Sequence, residues 1–321
     1  MTLVEAFETG NVEGVIGRPD QIIETILSKL FFFGDRVFKV YKSEKNSITE
    51  LDNLQRAEFY SQDFLWNNQM SPKIYLKLQP VAETERGFLN VSKEKADNFY
   101  ILMKKIDNSR NLTSLLGKKS INSNELRKII REMTIRVSFI TKANKNEIDQ
   151  VLNADWFKFN CKNIESLKWV YDAHPDLPKN KADKIIYFLN DFIRKEPYFS
   201  STICPRPSAS IDNQSDNIIF LDGQVHFIDI YPPQKIWRAR DDLFLVSRVA
   251  TDAAVLVGRE TAEILYDEYE KIAPPWPNQV TGVYEIESAL IKTAYYFMIK
   301  KPELAKKYMN FIDLHPLYYK T

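Results

Sequence analysis

The chain has 321 residues, 44% hydrophobic and 27% charged, so it can bury a large core beneath a solvated surface. Its formal net charge of +1, with both signs interspersed, excludes the basic excess expected of a nucleic-acid binder. Two cysteines (Cys161 and Cys204) set up no disulfide framework and fit a reducing compartment, and the three histidines lie at no zinc-site spacing. The acidic opening MTLVEAFETG lacks a signal-peptide pattern and no stretch is apolar enough to span a bilayer, so a cytoplasmic protein with no membrane partner is expected.

Taken in chain order, residues 30–33 and 37–41 are two β-rich runs around Gly34-Asp35, which predicts a hairpin. A helix follows over 49–70, with Leu51, Leu54, Ala57, Phe64, Leu65 and Met70 as apolar positions and Pro72 just past its end. Residues 74–78 and 99–103 read as further strands. Beyond Lys105 the pattern turns helical. Residues 124–143 place Leu126, Ile129, Ile130, Met133, Val137 and Ile140 on one face, and 184–195 repeat that periodicity. A Pro- and Ser-rich loop then leads to a second hairpin around Asp222-Gly223. Helices are predicted over 243–257, 260–272 and 285–299, and a last one over 303–312 with Pro302 at its start. The expected architecture is α+β and bilobal. Residues 1–105 form a small β-rich lobe with one helix, and residues 106–321 a larger, mainly helical lobe.

The segment 211–229 carries the chemistry. Counting outward from the Asp222-Gly223 turn pairs Phe220 with Val225 and brings Asn217 beside Asp229 at the open end of the hairpin, with Asp212 on the incoming loop. Two carboxylates and an amide oxygen then serve a hard cation such as Mg²⁺. The order and spacing suit phosphoryl transfer, in which a loop Asp handles the acceptor hydroxyl, an Asn five residues on holds one Mg²⁺ and a later Asp holds the metal bridging the phosphates. Asp212, Asn217 and Asp229 fill those roles in turn. Lys39 is the expected phosphate lysine; Lys42 would project to the other face of the strand. Glu58 and Asp63 both qualify as its carboxylate partner, and Glu58 is preferred for its longer reach. Neither G-x-x-x-x-G-K-[ST] nor G-x-G-x-x-G occurs, so a P-loop or dinucleotide-binding Rossmann enzyme is disfavoured. Any phosphate clamp at the first hairpin has to use the Thr25 and Ser28 hydroxyls and backbone N–H groups.

On these residues the sequence resembles the aminoglycoside phosphotransferase-like kinases, which have a protein-kinase-like fold. It looks most like the bacterial branch often fused to a P-loop kinase domain. The family's opening I-E-T-H-x-S-x-V-F-L-x-G-D-x-V-Y-K is followed by the stretch from Ile23 to Lys39, through Glu24, Thr25, Ser28, Gly34 and Asp35. Its E-L-x-L-N-x-x-L-x-P-x-I-Y is echoed by Asp63, Asn67, Met70, Pro72, Ile74 and Tyr75. Its Y-x-V-K-M is matched in part by Tyr100 and Met103, and its D-x-x-x-D-L-A-F-L by Asp242, Leu243 and Leu245. The likeness runs over residues 20–270. The family's catalytic loop H-G-D-L-H-x-x-N stands here as Ser210-Ile211-Asp212-Asn213-Gln214-Ser215-Asp216-Asn217, keeping the Asp and Asn but neither histidine nor the glycine. A helical F-H of the family is altered at Phe139-Ile140.

The resemblance implies an ATP- and Mg²⁺-dependent phosphotransferase acting on a hydroxyl of an unidentified small molecule. Asp212 is its base or orienter, Asn217 and Asp229 hold the metal, and Lys39 with Glu58 or Asp63 holds the phosphates. Adenine lies against the connecting backbone around Met103 and Lys105. The missing histidines motivate a rival, a pseudokinase that binds a nucleotide or a protein without transfer. A kinase-like enzyme that modifies a protein, by phosphate or by AMP, is a second.

Overall fold

The computed structural model of the chain describes residues 1–42, 53–152, 155–173, 177–273 and 276–319, which divide into two compact units. The first unit holds Met1–Asn108 and takes in a later segment, His226–Pro233. The second holds Ser109–Val225 and Gln234–Thr321. The α+β class expected from the sequence is present, with one antiparallel sheet in the first unit and mainly helices in the second.

In chain order the first unit contains α1 (Leu3–Thr9), β1 (Gln21–Glu24), β2 (Ser28–Phe33), β3 (Arg36–Tyr41), α2 (Asn53–Met70), β4 (Tyr75–Thr84), β5 (Gly87–Asn90) and β6 (Asn98–Lys104). The sheet order is β1-β2-β3-β6-β4-β5, with every neighbouring pair antiparallel. The first expected hairpin is β2–β3, with Phe31 opposite Phe38 and Leu30 opposite Lys39. Gly34 supplies the left-handed turn residue at φ 58°. The expected helix start at Thr49 and its apolar position Leu51 lie outside the described residues; the helix ends at Met70, as Pro72 requires.

Side-chain alternation along β3 sorts its residues between two layers. Phe38 and Val40 join Phe7 of α1, Phe31 and Tyr100 in one core. There the Phe7 ring lies 5.1 Å from Phe31 and 5.2 Å from Phe38. Burying each such ring contributes about 1.5–3 kcal/mol. Tyr41 faces the other way, onto Phe59 and Tyr60 of α2 at 5.0 and 4.9 Å. Lys39 shares that face. Strand period therefore delivers one lysine to the α2 side of the sheet.

α1, β1 and β5 were not expected from the sequence. α1 is only seven residues long and is fixed by a capping box, in which the Thr2 hydroxyl accepts from Glu5 N–H and the Glu5 carboxylate from Thr2 N–H. β1 is exposed along its whole length and shows no apolar alternation.

The second unit begins with α3 (Leu112–Gly117), α4 (Ser123–Ala143), α5 (Lys145–Leu152), α6 (Trp156–Ser166), α7 (Val170–Ala173), α8 (Lys179–Lys195) and α9 (Pro197–Ser200). β7 (Pro207–Ala209), β8 (Ile218–Leu221), β9 (Gln224–Phe227), whose last two residues already count with the first unit, and β10 (Ala239–Asp241) follow. Next come α10 (Asp242–Leu256), α11 (Arg259–Glu270), α12 (Asn278–Met298), α13 (Pro302–Leu314) and α14 (Pro316–Tyr319). All six apolar positions expected on α4 are buried. Asp222 and Gly223 join β8 to β9 with φ 50° and 69°, the double positive φ of a type I′ turn. α12 starts earlier than its periodicity suggested, at Asn278, because it is buried on nearly every side and shows no simple amphipathic stripe.

Candidate active site

In the first unit, β3 presents Lys39 to two carboxylates. Its Nζ lies 2.5 Å from Asp229 Oδ1 and 3.4 Å from Asp63 Oδ2. Lys39 and Asp63 are almost fully buried, whereas the Asp229 side chain is 57% exposed. Burial works against the Lys39 ammonium, but the charges of Asp229 and Asp63 outweigh it and hold its pKa well above the ordinary value. Of the two carboxylates considered for this partnership, Asp63 meets Lys39. Glu58, the one preferred from side-chain length, is exposed on α2. Five residues at 100° each place it roughly 140° around the helix from Asp63, and helix phase outweighs side-chain reach.

Asp63 opens a polar stripe, three of whose members, Asp63, Asn67 and Tyr75, carried the family resemblance, while Ser71 was not singled out. Asn67, one helical turn on, donates its amide to Asp63 Oδ1 at 2.8 Å and accepts from Ile230 N–H at 3.1 Å. Ser71 donates to Phe227 O at 2.8 Å and accepts from Phe227 N–H at 2.9 Å. Tyr75 accepts from Asp229 N–H through its hydroxyl at 2.8 Å. All four stripe residues are fully buried. Tyr231 packs beside them, its ring 5.3 Å from Phe59 and 5.0 Å from Trp66. Residues 63, 67, 71 and 75 thus clamp the segment that carries Asp229, whose backbone is held at φ 51°. A non-glycine residue in that conformation persists where its surroundings fix it. The sequence signal was there to read, as a polar residue at every fourth position, 63, 67, 71 and 75.

The other expected residues of this unit fall as follows. Lys42 pairs with Glu24 at 2.6 Å, away from Lys39. Met103 is buried in β6, opposite Val37 and Tyr75. Lys105 is exposed, and its backbone N–H already donates to Asp35 O at 2.8 Å. Thr25 and Ser28, in the turn between β1 and β2, hydrogen-bond to each other through their hydroxyls at 2.9 Å.

In the second unit, the loop from Ser210 to Asn217 brings Asp212 and Asn217 together. The Asn217 side-chain amide donates to Asp212 O at 2.8 Å. The Asp212 carboxylate accepts from Gln214 Nε2 at 2.8 and 2.9 Å and from Arg248 Nη2 at 2.5 Å. Deeper anchors hold the same loop. Asn213 donates to Leu245 O at 2.6 Å, and Ser215 N–H donates to Asp252 at 2.8 Å. Lys292 of α12 reaches Asp216 at 2.7 Å and Asp252 at 3.6 Å. Burial disfavours its charge, yet Asp252 and Asp216 raise the Lys292 pKa above its ordinary value. Burial likewise acts against the Asp216 carboxylate, but Lys292 and Tyr296 pull it below its usual range.

For a metal the first unit offers the carboxylate of Asp229 and the second unit, taken by itself, the amide oxygen of Asn217. Each is a hard oxygen donor of the kind Mg²⁺ takes, one or two at a time, with substrate phosphates completing its shell. Among the described residues, no group of three or more His, Cys, Asp or Glu side chains gathers to form an all-protein metal site.

No family model and no curated relative matches the sequence. Solved structures do. A choline kinase from Cryptosporidium parvum Iowa II aligns over 97% of this chain and 93% of its own, with a TM-score of 0.54 at 12% identity. A thermostable mutant of an aminoglycoside phosphotransferase, in ternary complex with AMP-PNP and hygromycin B, aligns over 97% of both chains with a TM-score of 0.51 at 12% identity. A choline/ethanolamine kinase family protein from Mesorhizobium loti covers 96% of this chain and 92% of its own, with a TM-score of 0.50 at 10% identity. The chain has the protein-kinase-like fold that choline kinases and aminoglycoside phosphotransferases share.

Proposed function

We propose that this protein transfers a phosphoryl group from ATP, with Mg²⁺, to a hydroxyl group of a small molecule. The observation that supports this reading is Lys39, buried and fully charged between Asp63 and Asp229 on that fold. Structures on this fold include enzymes named for small hydroxyl compounds, choline and aminoglycosides. In this reading Lys39 binds the ATP phosphates and Asp63 fixes its ammonium, while adenine lies against the backbone near Met103 and Lys105. Asp229 in the first unit and Asn217 in the second are each an expected Mg²⁺ ligand, and the metal, when bound, would neutralise charge on the transferring phosphoryl group. Asp212 accepts a hydrogen bond from the acceptor hydroxyl and aligns its oxygen for attack. Because a nucleotide that binds the folded state stabilises it, thermal denaturation tests the reading. ATP with Mg²⁺ raises the melting temperature of the wild type, and Asp229→Ala removes the metal-dependent part of that rise. Equal shifts in the two proteins would contradict the metal assignment.

A further inference from the structure

We infer that Arg248 is the positioning residue for Asp212, an inference that rests on the phosphotransfer reading above. Between Ser210 and Asn217 the loop contains no basic side chain, so the cation that steadies Asp212 has to come from outside it. It comes from α10. Arg248 Nη2 lies 2.5 Å from Asp212 Oδ1, and the Arg248 side chain is 12% exposed. Its guanidinium carbon sits 5.7 Å from the centre of the Phe244 ring, four residues back on the same helix. One helical turn on, Asp252 takes the Ser215 N–H at 2.8 Å and is itself held by Tyr308 OH at 2.6 Å. Adjacent turns of α10 therefore grip the loop at two points, one by cation to carboxylate and the other by carboxylate to backbone.

Gln214 completes the setting. Its side chain is more than nine-tenths buried, and its Nε2 lies 2.8 and 2.9 Å from the two Asp212 oxygens. A carboxylate has about four lone-pair sites, so these donors occupy part of its capacity and fix its plane. The remaining capacity is what an acceptor hydroxyl meets. Arg248 thus acts through Asp212, by holding the carboxylate in one orientation, and contributes nothing to nucleotide binding.

The test uses the full-length protein and ATP turnover with water as acceptor, measured for wild type, Arg248→Ala and Arg248→Lys. Misplacing a reacting group by about 1 Å costs on the order of 10²-fold. Arg248→Ala is expected to lower turnover by about 10- to 100-fold while leaving the KM for MgATP and the ATP-induced rise in melting temperature unchanged. Millimolar guanidinium restores part of the turnover of Arg248→Ala, and Arg248→Lys retains part of it without additive. Wild-type turnover in Arg248→Ala overturns the inference and leaves the phosphotransfer reading standing. So does a parallel loss of turnover, MgATP binding and melting temperature in both variants with no guanidinium rescue, which is the mark of a purely structural residue. A wild type that neither turns over ATP nor is stabilised by it overturns the phosphotransfer reading and the inference together.

Discussion

Lys39 Nζ and Asp229 Oδ1, 190 residues apart in the sequence, lie 2.5 Å from each other in the first unit. The contact depends on two independent devices. β3 alternation sends Lys39 to the α2 side, and the stripe of Asn67, Ser71 and Tyr75 holds the Asp229 segment against that same side. Removing Lys39 leaves Asp63 as a buried carboxylate with its cationic partner gone. Breaking a buried pair in this way costs about 3–5 kcal/mol. Lys39→Met is therefore expected to unfold at markedly lower denaturant than the wild type and to lose MgATP-induced stabilisation. The double variant Lys39→Met/Asp63→Leu recovers most of the stability and none of the nucleotide effect. Denaturant titrations with and without MgATP check both halves of this prediction.

Asn67 serves Asp63 and Ile230 at once, so its loss affects more than one contact. Asn67→Ala leaves the buried Ile230 N–H without its acceptor, a cost of about 1–3 kcal/mol. The expected outcome is a lower unfolding free energy and a reduced stabilisation by MgATP, because Ile230 adjoins Asp229. Hydrogen exchange should be faster in residues 226–233 of the variant. Unchanged exchange there would show that the stripe does not control this segment.

The helical unit contains a pH-sensitive link. Glu268 of α11 is 4% exposed and is held by Arg131 of α4 at 2.5 Å and by Lys271 at 2.7 Å. Hydrogen bonds from Arg131 and Lys271 lower its pKa to about 2. A depressed folded-state pKa stabilises above the unfolded value, near 4.5, and that contribution disappears as pH falls toward about 2. Glu268→Gln is accordingly expected to be less stable than wild type at neutral pH. The gap should close progressively from about pH 4.5 downward. Melting temperatures of the two proteins across that range measure it, and a constant gap would refute the link.

What the sequence made legible follows from short-range rules. The β2–β3 and β8–β9 hairpins were readable from turn chemistry and strand period, and α4 from its 3.6-residue stripe. The spacing of Asp212 and Asn217 was readable within one loop. What escaped depends on phase or on distant chain. Choosing between Glu58 and Asp63 required the rotational setting of α2, which side-chain length does not give. Arg248, Asp252 and Lys292 grip the 210–217 loop from α10 and α12, and nothing near the loop announces them. The return of His226–Pro233 to the first unit is a property of tertiary packing. Its only sequence trace is the polar stripe that receives it.

The most direct measurement is phosphate release from ATP by wild type and Asp212→Asn, with MgATP binding followed in parallel. A carboxylate that aligns an acceptor and takes its proton typically contributes ~10²–10⁴ in rate. The account predicts that Asp212→Asn binds MgATP as the wild type does and releases phosphate at least about 100-fold more slowly. Equal phosphate release by the two proteins would contradict it, and a wild type that binds MgATP without turnover would be a nucleotide-binding pseudokinase.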